Sequence, residues 1–365
     1  MSLMNLFNKE KNISTPEIVG SDLGYGQVKI VSDDIQIKFL STVGTPVSDF
    51  SRTTPIASRE ELLDTLAISY EGKKYYVGHN AIVNTRNGRL SLRQNKAESD
   101  DNKIKLMTSL GLLTNEDQEE ATFDIITGLP VLEFKNQKDK LFNMLYNYGR
   151  PFEFIMYYGS KAVKKKIRVR NIKVISQGEG AFYSYILDNT GAIVTSRTAN
   201  ISGKVMVVDP GYKTTDIVTM ENGRYIETLS DQLNKGVSQA HQEILRLIMQ
   251  KFNIKKELKD LDDIVRSGIL FHNRKEYDMR PLIAEAVKPY ADDIVENLIN
   301  ISNDDLGSMN MIMLTGGGAE LIYPYVREML NDTIEVIKID NAEFSNASGY
   351  YKYGLLLNNQ GLFND

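Results

Sequence analysis

The 365-residue sequence predicts an α/β protein of two domains. Three observations carry that expectation. An apolar run bends through Asp and Gly in Val19-Gly20-Ser21-Asp22-Leu23-Gly24-Tyr25-Gly26-Gln27-Val28-Lys29. The same arrangement returns in altered form as Val207-Val208-Asp209-Pro210-Gly211-Tyr212-Lys213-Thr214-Thr215-Asp216. Strand-like and helix-like segments alternate around both, and each half opens on a strand-rich stretch, Ile18 to Val31 and then Lys204 to Met220. A hydrophobic content of 42% with 25% charged residues supplies apolar material for two cores.

In chain order, Met1 to Asn12 reads as a disordered tail whose Leu3, Met4, Leu6 and Phe7 are too few for a membrane anchor. Asn115 to Glu120 is acidic and reads as a loop or helix start. Glu133 to Tyr148 places Phe134, Leu141, Met144 and Leu145 at helical spacing. The basic run Lys161 to Arg170 alternates in its second half, as an amphipathic strand with one face in solvent does. Another helix is expected after Gln177. Ser238 to Phe252 and Met279 to Ile301 read as longer amphipathic helices, the latter with Pro281 near its start and Pro289 as a kink point.

The two turns carry the chemistry. Glycine lets the backbone bend tightly enough for amides to approach an anion, and Val28 to Val31 or Ile217 to Met220 then completes a hairpin. A carboxylate at the end of the first strand repels phosphate, but it can hold a hydrated Mg²⁺ that touches phosphate oxygens. Asp22 and Asp209 are therefore candidate metal-water ligands. Lys29, on the returning strand, supplies a point charge, and Thr214 and Thr215 supply hydroxyls. A third cluster, Met311-Ile312-Met313-Leu314-Thr315-Gly316-Gly317-Gly318-Ala319-Glu320, runs from an apolar strand into three glycines, which lets a flat ring lie against bare backbone.

Other chemistries are excluded or disfavoured. The chain has no Cys and 3 His, His79, His241 and His272, so disulfides and thiolate catalysis are excluded and a zinc site has few ligands. A net charge of -5 disfavours direct wrapping of nucleic acid. No apolar run approaches the ~20 residues that span a bilayer, and no signal-peptide pattern opens the sequence, so a cytoplasmic protein is expected.

The order of these motifs resembles the actin-like ATPase family, which shares a duplicated core with sugar kinases and heat-shock chaperone ATPase domains. On that resemblance Asp22 to Lys29 is the first phosphate turn, Val174 to Ser184 the first connecting helix, Asp209 to Asp216 the second phosphate turn, Thr315 to Ala319 the adenosine turn and Asn346 to Gly354 the second connecting helix. Residues 75–81, Tyr-Tyr-Val-Gly-His-Asn-Ala, and 124–131, Asp-Ile-Ile-Thr-Gly-Leu-Pro-Val, look most like plasmid-segregating ParM-type actins. The likeness spans about residues 16 to 357.

The resemblance implies an actin-like ATPase fold of two ribonuclease-H-like domains flanking a nucleotide cleft. Domain I is expected over 16–185 and 340–365, domain II over 186–339, after a tail at 1–15. Gly178, Gly180 and Gly349 serve either as hinge contacts or in helix packing and capping. The cofactors implied are ATP, with GTP the alternative, and Mg²⁺. Asp22, Gly24, Tyr25, Gly26 and Lys29, Gly211, Tyr212, Lys213, Thr214 and Thr215, and Gly316, Gly317 and Gly318 are the implied nucleotide contacts. Gln177 takes the place of the group that orients the attacking water, where ParM itself is better matched by a glutamate. Glu179 is the rival, and a neutral Gln implies slow hydrolysis. Asp216 departs from the pattern and reads as structural. The implied partners are further copies of the chain in a helical filament and a DNA-bound adaptor of the ParR type, with plasmid DNA engaged only indirectly and no membrane. A small-molecule kinase with Asp124 as the tempting base, and a cell-shape or division actin, are the alternatives.

Overall fold

The computed structural model describes residues 17–33, 35–46, 56, 58–86, 99–114, 117–198 and 201–363, so the expected tail at 1–15 lies outside them. Backbone packing divides the chain into two units, Met1–Val194 with Asn346–Asp365, and Thr195–Ser345. The chain thus changes unit after Val194 and after Ser345, where the limits expected from the sequence were 185 and 339.

In the first unit the expected hairpin forms from β1 (Glu17–Leu23) and β2 (Gln27–Ser32), continued antiparallel by β3 (Ile35–Leu40). There follow β4 (Val43–Gly44), α1 (Arg59–Asp64), β5 (Ala67–Tyr70), β6 (Lys73–Val77), α2 (His79–Asn84), α3 (Asp100–Leu113), β7 (Glu120–Leu129), α4 (Val131–Tyr146), β8 (Phe152–Tyr158), β9 (Lys161–Ser176) and α5 (Glu179–Ile186). The nine strands form one sheet in the order β3-β2-β1-β7-β9-β8-β5-β6-β4, with β1, β7 and β9 parallel at its centre. Val19, Val28, Ile125, Leu129 and Ile167 pack in its core. The basic run forms the strand expected of it: Val163, Ile167 and Val169 face inward, and Lys164, Lys166, Arg168 and Arg170 face out. Lys165 occupies an inward position, where its ammonium donates to the Gln118 carbonyl at 2.7 Å and lies over the Tyr158 ring. The acidic stretch before β7 forms a turn at 117, and Glu120 already begins the strand.

The second unit opens on the short helix α6 (Thr195–Thr198), then β10 (Lys204–Pro210), β11 (Thr215–Glu221) and β12 (Arg224–Leu233) in antiparallel sequence. After α7 (Val237–Phe252), α8 (Leu261–Ser267), the hairpin β13 (Ile269–His272) with β14 (Lys275–Asp278), and α9 (Arg280–Ile301), the chain returns to the sheet as β15 (Met311–Leu314), α10 (Ala319–Leu330) and β16 (Val336–Lys338). β15 and β16 run parallel to β10, giving the order β12-β11-β10-β15-β16. Strand for strand this repeats β3-β2-β1-β7-β9, an antiparallel trio followed by two parallel strands. The duplication that the two turns suggested is therefore a duplication of sheet topology. α9 passes through Pro289 without a break in its assignment, with Pro281 in its first turn, where the missing N–H is not required.

The last helix, α11 (Ser345–Asn359), belongs to the first unit. It crosses α5 so closely that a Cβ on Gly349 would lie 1.6 Å from the Gly180 carbonyl oxygen. Beside that contact the rings of Tyr183 and Tyr353 stack, 4.2 Å between centroids and 7° from parallel. Of the two roles open to Gly180 and Gly349, helix packing is the one this geometry requires. Gly178 stands before α5 with φ 99, a capping conformation that a side chain would strain. Among the described residues no helix is long and apolar enough to cross a membrane.

Candidate functional site

In the first unit, β1 and β2 are in register with Asp22 directly opposite Lys29. The Lys29 ammonium lies 3.8 Å from the Asp22 carboxylate, and both side chains are largely buried. Gly24 makes the turn possible, because a Cβ there would meet the Gln27 carbonyl at 2.6 Å. Gly26 is held from behind: its carbonyl accepts the Ser41 N–H at 2.9 Å, and the Ser41 hydroxyl accepts from the Lys105 ammonium at 3.0 Å. The Tyr25 hydroxyl donates to the Glu133 carboxylate. Its side chain is therefore turned into the unit, which leaves its backbone amide as the group that an anion at the turn would meet.

The turn sits at the C-terminal ends of the parallel strands β1, β7 and β9, where open α/β sheets place ligands. Gln177 follows β9 at that edge, half-buried, its N–H donating to the Leu129 carbonyl at 2.6 Å. Glu179 begins α5 and reaches back to accept the Ser176 N–H at 2.8 Å. Burial pushes its carboxyl up to about 7, with the Ser176 N–H acting in the opposite direction. Asp124 lies within β7 rather than before it, buried, accepting from Arg170 and from the Asn171 amide at 3.0 Å. Locked in this way it is a structural carboxylate, and the kinase reading loses its candidate base.

In the second unit Asp209 stands opposite Asp216 on β11, and both are buried. Gly211 closes the turn by donating its N–H to the Thr214 carbonyl at 2.9 Å. Thr215 corrects the expectation for its hydroxyl, which donates to the Lys235 carbonyl at 2.8 Å and meets the Tyr290 hydroxyl at 2.5 Å inside the unit. Thr214, just before β11, is buried as well. Tyr212 and Lys213 are half-buried on the turn itself.

The three glycines are not equivalent. Gly316, with φ +76, packs against the phosphate turn: a Cβ on it would lie 2.0 Å from an Asp209 carboxylate oxygen. A Cβ on Gly318 would meet the Pro210 carbonyl at 2.4 Å, whereas Gly317 is exposed with nothing within 4 Å. Two of the three are thus required by close packing on β10, and Gly317 alone offers open backbone. Sequence reading missed Gly236, against which the Gly211 carbonyl stands 2.6 Å from a would-be Cβ. Val237 and Ser238 donate their N–H groups to the Gly211 and Tyr212 carbonyls, so the start of α7 braces the second turn. The signal available was a Gly directly before an amphipathic helix.

The donor set fits a hydrated Mg²⁺. A hard cation asks for one or two carboxylates, with water and phosphate filling the remaining positions, and a buried carboxylate facing a second one, as Asp209 faces Asp216, favours a cation nearby. Among the described residues no cluster of three or more metal-ligating side chains occurs, so protein groups alone do not complete an octahedral shell.

Residues 20–180 match the family described as actin like proteins, N-terminal domain, and residues 207–328 match the archaeal MreB-like actin homologue, C-terminal domain. The chain belongs to the actin-like ATPase superfamily. The archaeal actin homologue of Thermoplasma acidophilum is 23% identical over 345 residues, 91% of this chain and 97% of that protein. A 15-stranded ParM filament from Clostridium botulinum shares 26% identity at a TM-score of 0.74, with 93% of this chain and 99% of that one covered. A non-polymerisable quadruple mutant of pCBH ParM shares 27% identity at a TM-score of 0.72, again over 93% and 99%. An archaeal actin homologue crystallised with ADP has the same fold at a TM-score of 0.72, with 92% of this chain and 98% of that one covered at 19% identity. These matches establish the superfamily and the actin-like two-domain fold, the coarser part of the expectation drawn from the motifs.

Proposed function

We propose that this actin-like ATPase binds ATP with Mg²⁺ through its two phosphate turns, assembles into filaments, and hydrolyses the nucleotide slowly so that the filaments become unstable. The observation that carries the reading is that Asp22 and Asp209 stand next to the last residue of β1 and β10, corresponding strands of the five-strand order that the two sheets share, each followed by a glycine-bearing turn. Likeness at 26% identity to a ParM filament structure supports self-assembly, and an ADP-bound structural relative supports the nucleotide. GTP is the alternative fuel.

Bound Mg²⁺ supplies charge neutralisation at the β and γ phosphates. The backbone amides of the turns supply preorganised donors, and Lys29 supplies a charge kept in place by Asp22. Gln177 orients the attacking water. Glu179 is less suited to that task because its carboxylate is buried and accepts the Ser176 amide. An amide orients water without accepting its proton, which suits a slow timer.

The assembly moves plasmid DNA through a DNA-bound adaptor of the ParR type, in the cytoplasm and without a membrane. High-speed pelleting with Mg²⁺ and ATP, GTP, ADP or no nucleotide tests the core of this reading, with Asp209→Ala as the control and circular dichroism to verify its fold. Nucleotide-dependent pelleting that disappears in Asp209→Ala is expected. Nucleotide-independent behaviour of both proteins refutes the reading, and pelleting with adaptor and centromere-bearing DNA then tests the cargo.

A further inference from the structure

Glu133 is a buried carboxylate at the edge of the first phosphate turn. It stands in the first turn of α4, just after β7 ends at Leu129, the residue whose carbonyl also holds the Gln177 N–H. It is 8% exposed. One of its oxygens accepts the Tyr25 hydroxyl, and Oε2 has no hydrogen-bond partner among the described residues. A buried carboxylate oxygen left without a donor costs free energy, and a neutral side chain of the same size is spared the part of that cost owed to the buried charge. Tyr25, Glu133 and Gln177 come from the segments that follow β1, β7 and β9, three parallel strands that end at one edge.

We propose that Glu133 is a positioning residue for nucleotide hydrolysis, an inference that rests on the nucleotide reading above. Its carboxylate anchors Tyr25 and so fixes the amides of Gly24 to Gly26. Its second oxygen accepts a hydrogen bond from a water molecule that arrives with the nucleotide, which satisfies the buried acceptor only in the bound state. A carboxylate retained for this purpose is one that the fold itself does not need, as groups that serve function at the expense of stability generally are.

Glu133→Gln keeps the size of the side chain and an oxygen for Tyr25, but replaces the free acceptor by a donor. Binding of a fluorescent ATP analogue, steady-state release of inorganic phosphate and the thermal midpoint are to be measured for the wild type, Glu133→Gln, Tyr25→Phe and the double variant. The expected result is turnover reduced about tenfold in Glu133→Gln, the loss of one hydrogen bond to a charged group, with nucleotide affinity within about twofold and a midpoint no lower than wild type. The double variant should turn over no more slowly than Glu133→Gln alone, since the two residues act as one unit. Wild-type turnover in Glu133→Gln, or a fall in turnover only in step with a lowered midpoint, overturns the role of Glu133 and leaves the nucleotide reading standing. A wild-type protein that binds no nucleotide overturns that reading first.

Discussion

Replacing Glu179 by Gln should remove a loss of stability that the wild-type protein suffers as pH rises through neutrality. Burial at the start of α5 lifts this carboxyl from the ordinary 4.5 to about 7. In the unfolded chain it titrates at the ordinary value. Between the two the folded state keeps a proton that the unfolded state has released, so stability is complete below pH 4.5 and declines as pH rises through about 7. One pKa unit corresponds to about 1.4 kcal/mol, which makes the whole decline about 3 kcal/mol. Glu179→Gln has no proton to lose and still offers an oxygen to the Ser176 N–H, now 2.8 Å from the carboxylate. The stability of the variant relative to wild type should therefore grow by about 3 kcal/mol between pH ~4.5 and ~8. Urea unfolding at several pH values gives the comparison, followed by circular dichroism or by tyrosine fluorescence, because the chain has 19 Tyr and no Trp. Two stability profiles that run parallel across this range refute the reasoning and return Glu179 to an ionised state.

Two substitutions at glycines test the packing. Gly349→Ala puts a Cβ 1.6 Å from the Gly180 carbonyl oxygen, where neither backbone can yield, and should lower stability by about 3 kcal/mol on thermal or chemical unfolding. Gly316→Ala puts a Cβ 2.0 Å from the Asp209 carboxylate and forces a left-handed conformation that costs about 1–2 kcal/mol. It should weaken nucleotide binding about tenfold in an anisotropy titration. Gly317→Ala, with nothing within 4 Å, should leave that titration unchanged, and equal effects at both positions would defeat the assignment.

The legible parts of the fold were those written in local sequence. The two hairpins show as apolar runs around Asp and Gly, and β10 and β11 pair with Asp209 opposite Asp216 as the turn length requires. The helix expected from Glu133 appears two residues early because Pro130 precedes its first turn, where its fixed φ suits a helix entry. Asp124 was misplaced because β7 begins in polar residues, from Glu120, that pair with the basic run of β9 rather than in its apolar stretch. What could not be read depends on partners distant in sequence. The Thr215 hydroxyl is taken up by Tyr290, and the direction of Tyr25 is set by Glu133. The glycines after β15 looked like a ligand surface because Asp209 and Pro210, which Gly316 and Gly318 approach, lie about a hundred residues earlier.

The return of α11 to the first unit bears on how the protein is made. The second unit, Thr195–Ser345, is continuous in sequence and can close upon itself as soon as it leaves the ribosome. The first unit cannot, because the place opposite Gly180 is filled by Gly349. Residues 187 to 344 are synthesised in the interval, on the order of ten to thirty seconds at about 5–20 residues per second. For that time the apolar notch over β1 and β7, where Ile18 and Ile126 await the Gly354 segment, is open to water and to other nascent chains. Emergence of α11, rather than of the first hundred residues, is then the event that completes the first unit, and a chaperone that shields an exposed sheet face has its period of action before it.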